Sequence, residues 1–517
     1  MQNISSNKRI ARNTLFLYAR MGVVMLIALY TTRVVLKVLG NEDYGVYNVV
    51  CGFVALFGIF NICFSASINR FYNYEIGKRT NNGVRTVYNS AILIQVILAL
   101  SIVLITEIVG SWYIENKMIL PEGRLTVVRW IFHFSMISMF ITVLQAPYSA
   151  AVLAYEKMDY YAVVSIVDAL VKLVFVILLP LIGGDKLLIY GILMCIISII
   201  NFLMYFIYCK MTFPEIRYQR GTDKKMVKSM LSFSGWSLLD PVTYTARDQG
   251  TNMVLNAFFG PVVNAAQGIA YQIASAVDNF SGSFTTAFRP QIIQSYSEGQ
   301  YSRTKNLMFS MSKIGYLLQL MLVAPIIIDV DYILQLWLGE GFPSYASSFV
   351  CVILLIKSIG TLHTPISNVV SATGNIRKIK VFSAIVIASV VPIAIVMFKL
   401  GQSPIFAYIA LLFLTVINQV GCVFILNQVC PFIETTDYVK TLVIPLIVHS
   451  LLIVVLPFAI WFLLPSSICR LIIICILTVV GTILSGYFVV LNPVERTMIR
   501  EFKTTILRRI KSNHKDL

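Results

Sequence analysis

From residue 12 to residue 491 the chain returns again and again to apolar runs long enough to cross a lipid bilayer. About twenty largely apolar residues span the hydrocarbon core as a helix. Only helices and closed barrels satisfy their backbone polar groups there. The alternating ten-residue strands of a membrane barrel are not visible in the sequence. We therefore read an all-α polytopic membrane protein with about fourteen transmembrane helices. They fall at 12–37, 44–66, 86–110, 125–150, 160–182, 187–209, 229–259, 261–288, 306–329, 345–371, 379–399, 403–428, 439–464 and 467–491. A mean hydropathy of +0.80 with 13% charged residues excludes an ordinary soluble domain. The basic start leads into an apolar run that outlasts a signal peptide and lacks a small-residue cleavage site, so it is expected to be a retained first span.

The net charge of +17 is read as topology, with no nucleic acid as a partner, because it sits between the apolar runs. With the N-terminus inside, the outer loops hold only Lys37, Lys117, Arg124, Lys186, Lys399 and Arg470 as Lys or Arg. All other Lys and Arg outside the spans fall inside. Both termini are then cytoplasmic. The loops are too short for a catalytic module. No Gly-rich phosphate loop, metal-ligand cluster or nucleophile–base arrangement appears, so we expect neither an enzyme nor a nucleotide-driven pump. The nine cysteines, mostly in apolar segments without a CxxC, read as small buried hydrophobes.

One stretch breaks the apolar pattern. Between Ser234 and Arg289 two span-length segments, split at Gly260-Pro261, carry Asp240, Arg247, Asp248, Asp278 and Arg289. At about 100° per residue, Asp240, Tyr244, Arg247 and Thr251 share one face. In the next span Asn264, Gln267, Tyr271, Ser275, Asp278, Gly282, Thr285 and Arg289 recur at steps of three and four. A charge near the bilayer centre costs roughly 2.5–3.5 kcal/mol on insertion scales, so such a seam must face other helices or a hydrophilic cavity. The second span repeats the seam more weakly at Asn61, Ser65 and Asn69. Arg33 and Lys37, near the outer end of span 1, offer either a second anion contact or a snorkelling anchor.

An internal repeat at an offset of about 220 lays VLGNEDYGVYNV over FFGPVVNAAQGI, with Gly40 on Gly260. PYSAAVLA similarly falls on PISNVVSA. Spans 1–6 and 7–12 then form two pseudo-symmetric six-helix lobes, followed by two extra C-terminal helices. The expected division is an N-lobe at 1–209, a cytoplasmic linker at 210–228, a C-lobe at 229–428, spans 13 and 14 within 429–491, and a basic tail at 492–517 that either lies on anionic lipid headgroups or is simply solvated. The offset carries Arg20 onto Asp240, a candidate ion pair across the cavity. Arg247 has no symmetry mate, and an unpaired guanidinium there suits bidentate phosphate binding. The alternative is that Asp248 or Asp278 neutralises it.

The opening stretch, with Asn13 and Arg20 in span 1 followed by RVVLKVLGNEDYGVYNVV, resembles bacterial polysaccharide-biosynthesis flippases of the multidrug/oligosaccharidyl-lipid/polysaccharide exporter superfamily. The resemblance implies alternating access between two lobes in the bacterial inner membrane. It also implies a cavity lined by spans 1, 2, 7 and 8 and a polyprenyl-pyrophosphate-linked glycan as substrate. A polysaccharide polymerase and other export components are implied as partners of a monomeric carrier. Cationic cavity residues of such flippases match Arg20 and Arg247 by position. The carboxylates of spans 7 and 8 leave H+ or Na+ open as a coupling ion, with no other cofactor. A multidrug antiporter and a lipid II flippase of the same superfamily are the competing readings.

Overall fold

The computed structural model describes residues 2–77, 81–155, 157–217, 223–237, 239–286, 288–492 and 495–496. Among them no strand occurs, and the all-α expectation is borne out. The helices are α1 (Gln2–Gly77), α2 (Asn81–Asn116), α3 (Leu125–Ala154), α4 (Met158–Leu178), α5 (Lys186–Thr212), α6 (Lys224–Ser237), α7 (Leu239–Phe259) and α8 (Pro261–Thr286). They continue as α9 (Arg289–Ser297), α10 (Tyr301–Ile328), α11 (Val330–Leu338), α12 (Ala346–Gly360), α13 (His363–Thr373), α14 (Arg377–Ala388) and α15 (Val390–Lys399). The last four are α16 (Ile405–Val429), α17 (Thr435–Tyr438), α18 (Ile444–Leu463) and α19 (Ile468–Ser485).

Eleven stretches of the described residues are long and apolar enough to cross a membrane. They differ from the fourteen expected in two places. The first stretch runs 55 residues from Gly22 to Ile76, and Gly40 interrupts it with φ 78° and ψ 174°. Glycine takes a positive φ without the steric cost of a side chain. The second place is α7 and α8, whose polar residues lower their hydropathy and keep them out of the eleven. The seventh expected span is divided into α6 and α7, which flank Leu238; that residue lies outside those described.

Packing divides the chain into two compact units. The first comprises Met1–Gln272, Trp337–Phe349 and Ile387–Ala410. Its core joins Phe64, Ile68, Tyr72, Tyr88, Tyr148, Tyr205 and Met230, with a second cluster around Val46, Phe53, Tyr113, Phe132 and Leu187. Loop charges are tied together at one end. Arg124, just before α3, pairs with Asp43 at 2.5 Å and with Asp185. Asp185 also caps α5, accepting from the backbone N–H groups of Leu187 and Leu188 at 3.0 Å each.

The second unit comprises Ile273–Leu336, Val350–Val386 and Leu411–Leu517. Its core gathers Met308, Phe309, Ile366, Leu426, Tyr438 and Leu446. Here α18 and α19 are fastened to α10 at both ends. Arg470 of α19 donates from Nε to Asp329 at 3.1 Å, and the two side chains are 7% and 1% exposed. Lys313 of α10, 1% exposed, meets Glu495 at 3.0 Å. Breaking a buried pair by removing one partner typically costs about 3–5 kcal/mol. Arg470→Leu is therefore expected to lower the unfolding midpoint in detergent markedly, and adding Asp329→Leu should recover most of the loss. A single variant as stable as the double would show that the charge is not confined.

Candidate functional site

The turn between α7 and α8 is made by Gly260 at φ 79°, nearly the φ of 78° at Gly40 with which the repeat aligns it. It folds the two polar helices against each other, and an asparagine ladder fastens them. Asn264, fully buried, donates to the side-chain and backbone oxygens of Asn252 at 2.7 Å each. Asn256 donates to Asn264 Oδ1 at 3.1 Å and accepts from the backbone N–H of Ile119 at 2.9 Å. Asn252 donates to the backbone oxygen of Asn48 at 3.3 Å, which brings α1 into the same ladder. Amides serve this purpose in an apolar bundle because each both donates and accepts without a net charge. At the same end Asn41 donates to the backbone oxygen of Gly341 at 3.1 Å.

Glycines let α1 come this close. A Cβ at Gly45 would lie 1.8 Å from the carbonyl oxygen of Pro261, and one at Gly268 would lie 2.8 Å from Asn48 Nδ2. One at Gly52 would lie 2.3 Å from Gln249 Oε1. The second half of α1 thus packs on α7 and α8 through small residues, as membrane helices do when backbones approach.

Two turns along α7 from the ladder sits the charged centre. Arg247, 8% exposed, sets its guanidinium 5.2 Å from the Tyr244 ring. The unpaired guanidinium expected from the sequence is corrected here. Arg247 reaches Asp248 Oδ1 from Nε and Nη2 at 2.6 Å each, so its charge is neutralised by its chain neighbour. The Tyr271 hydroxyl donates to the same oxygen at 2.9 Å. Gln267 donates to the Asp248 backbone oxygen at 3.5 Å. Thr251 Oγ1, buried nearby, has no hydrogen-bond partner in the protein, while the Tyr408 hydroxyl is hydrogen-bonded to the Gln267 side chain. Tyr408, from α16, faces Gln267, Tyr271 and the Arg247–Asp248 pair. Buried polar atoms are nearly always satisfied, so an unfilled one beside an ion pair marks a place that takes a ligand or water.

The remaining expected residues lie elsewhere. Asp278 belongs to the second unit and pairs with Lys357 at 2.7 Å, which settles that Asp278 is not the partner of Arg247. Asn69 donates to the backbone oxygen of Ala150 at 3.2 Å and accepts from Asn73. Asn61 is half-buried, with an unpartnered Oδ1. Arg33 is exposed. The side chains of Arg20, Asp240 and Arg289 lie outside what is described, and the ion pair expected between the first two lies outside with them. Sequence reasoning missed Tyr408 and left the role of Lys357 undecided; both are brought in from distant helices.

No curated protein matches the chain. Solved structures share its fold. One is "Lipid II flippase MurJ, inward closed conformation", with a TM-score of 0.68 and 14% identity over 92% of this chain and 98% of that one. Another is an inward-facing multidrug resistance MATE family transporter of the MOP superfamily, with a TM-score of 0.65 and 13% identity over 80% and 98%. A MOP superfamily transporter from Pyrococcus furiosus, described as having a binding pocket of reverse polarity, gives 0.52 and 14% over 80% and 96%. These relatives are transporters and a flippase, and at such identities they speak for the fold. Residues 10–296, more than half of the chain, match the model of the polysaccharide biosynthesis protein family, and to that family the chain belongs.

Proposed function

We propose that the protein is a flippase moving polyprenyl-pyrophosphate-linked oligosaccharide repeat units from the cytoplasmic to the outer leaflet of the bacterial inner membrane. It works by alternating access and serves surface polysaccharide synthesis such as O-antigen or capsule. It is a carrier and not an enzyme, a monomer with both termini cytoplasmic, working beside a polymerase. The observation that carries this reading is the buried Arg247–Asp248–Tyr271 centre in a chain of the polysaccharide biosynthesis family.

In this reading the ion pair is a resting arrangement that substrate exchanges. A pyrophosphate reaching Arg247 offers a bidentate partner in place of Asp248, and charge-assisted bonds of this kind are roughly twice as strong as neutral ones. Asp248, once released, needs a proton or a Na+ to stay buried without its guanidinium. Coupling to an ion gradient would follow from that exchange. The same carboxylate gives the multidrug-antiporter reading its support, since it would serve a cationic substrate directly.

Proteoliposomes loaded with a fluorescent undecaprenyl-pyrophosphate oligosaccharide distinguish the two. We expect leaflet exchange by the native protein and its loss in Arg247→Ala, with insertion unchanged. Expulsion of a cationic dye without any glycolipid movement would sink the proposal and favour the antiporter.

A further inference from the structure

The first unit contains a cavity remote in sequence from the Arg247 centre. It has a volume of about 430 Å³ and is lined from the second half of α1 and from α3, α4 and α5. Pockets of roughly 300–1,000 Å³ are the usual size of small-molecule sites. The cavity is half open, since the side chains of Asp168 and Lys172 are 22% and 40% exposed and Thr142 is exposed, but on α4 it lies on the polar face. At about 100° per residue, Tyr161, Ser165, Asp168 and Lys172 share one face, while the exposed Val163, Leu170, Val174 and Ile177 lie on the opposite one.

Most of the lining is apolar, with Val54, Ala55, Met139 and Ile197 among it, and the polar groups set into it are electrically balanced. Lys172 pairs with Asp168 at 2.7 Å, and Asn201 of α5 donates to the other carboxylate oxygen. The hydroxyls of Ser138 and Thr142 on α3 donate to carbonyls of their own helix at 2.9 and 2.8 Å, leaving oxygen lone pairs for the cavity. Gln145 adds an amide, and Tyr47 adds an aromatic ring at the other end. As packing alone the pair would contribute little, because it is an i,i+4 couple with both side chains partly exposed. A free ion finds no uncompensated charge here, because the only carboxylate in the lining is already matched. What fits is a neutral ligand bearing many hydroxyls that both donate and accept.

We propose that this cavity binds a sugar ring, a hexose or N-acetylhexosamine, as a site separate from Arg247. The choice of sugar rests on the glycolipid reading above; the neutrality and polarity of the ligand rest on the cavity alone. In that arrangement Asp168, Asn201 and Gln145 meet ring hydroxyls while Tyr47 covers an apolar ring face, the usual division of labour in polar pockets.

Saturation-transfer NMR on the full-length protein in nanodiscs tests this with a panel of glucose, galactose, N-acetylglucosamine and N-acetylgalactosamine. Sorbitol and tetraethylammonium serve as comparisons. At least one sugar should show ring-proton transfer well above sorbitol, falling several-fold in Gln145→Leu and in the near-isosteric Thr142→Val. No transfer above sorbitol, or transfer unchanged in both cavity variants of normal thermal stability, would overturn the assignment and leave the cavity to water. Transfer from tetraethylammonium instead would assign it to a cation. Glycolipid exchange without sugar binding would refute only this proposal, whereas sugar binding without glycolipid exchange would refute only the flippase reading.

Discussion

Gly45→Ala is expected to loosen the packing of α1 on α8 and to slow transport while leaving membrane insertion intact. The added methyl would lie 1.8 Å from the carbonyl oxygen of Pro261 and 2.5 Å from its carbonyl carbon. Both are backbone atoms at the start of a helix, so no side-chain rotation relieves the clash. Overpacking of this kind typically costs about 1–3 kcal/mol. At roughly 1.4 kcal/mol per factor of ten, the closely packed state should become about tenfold rarer or more. A reporter cysteine at Ala265, which is fully buried, measures this as its rate of labelling by a small maleimide. Gly268→Ala makes a graded comparison, because its methyl would meet the Asn48 side chain at 2.8 Å, and a side chain can turn aside. Equal, slow labelling in both variants, with transport unchanged, would show that the glycine contact does not hold this end together.

The second large effect concerns the centre of α7. Asp248→Leu strands the buried guanidinium and is expected to cost the fold about 3–5 kcal/mol, while Arg247→Met leaves a carboxylate that is a quarter exposed and is expected to cost less. The double variant should approach native stability, because apolar side chains replace the pair as a unit. Transport should not return with stability if the guanidinium recognises pyrophosphate. Thermal unfolding and glycolipid exchange on the same four proteins separate the two roles. A double variant that is both stable and fully active would reduce the pair to packing.

Much of the architecture was legible because bilayer physics acts on local composition. Apolar runs announce spans wherever they occur, and the polar seams of α7 and α8 stood out against them. Gly40 and Gly260 could be aligned from sequence, and both adopt the positive φ that only glycine takes readily. The pairing inside the site was not legible. Neighbours i and i+1 on a helix do not ordinarily face each other, so Asp248 was one candidate partner among two for Arg247. Only side-chain reach decides it: the guanidinium bends back along its own helix to meet the carboxylate. Tyr408 and Lys357 reach their partners across more than seventy residues of chain, where no spacing rule operates. Asp329 and Arg470 are likewise joined only by tertiary packing, and the sequence had placed Arg470 merely among the outer-loop charges.

That last pair, with Lys313 and Glu495, carries a consequence for descent. Two deeply buried charges on and just after α10, Lys313 and Asp329, are tolerable only while α19 and the segment after it supply the answering charges. A lineage cannot shed its final two helices one mutation at a time without stranding them. Relatives that end after α16 are thus expected to carry neutral residues at both positions, and a chain newly extended by two helices must acquire the charges on both sides together.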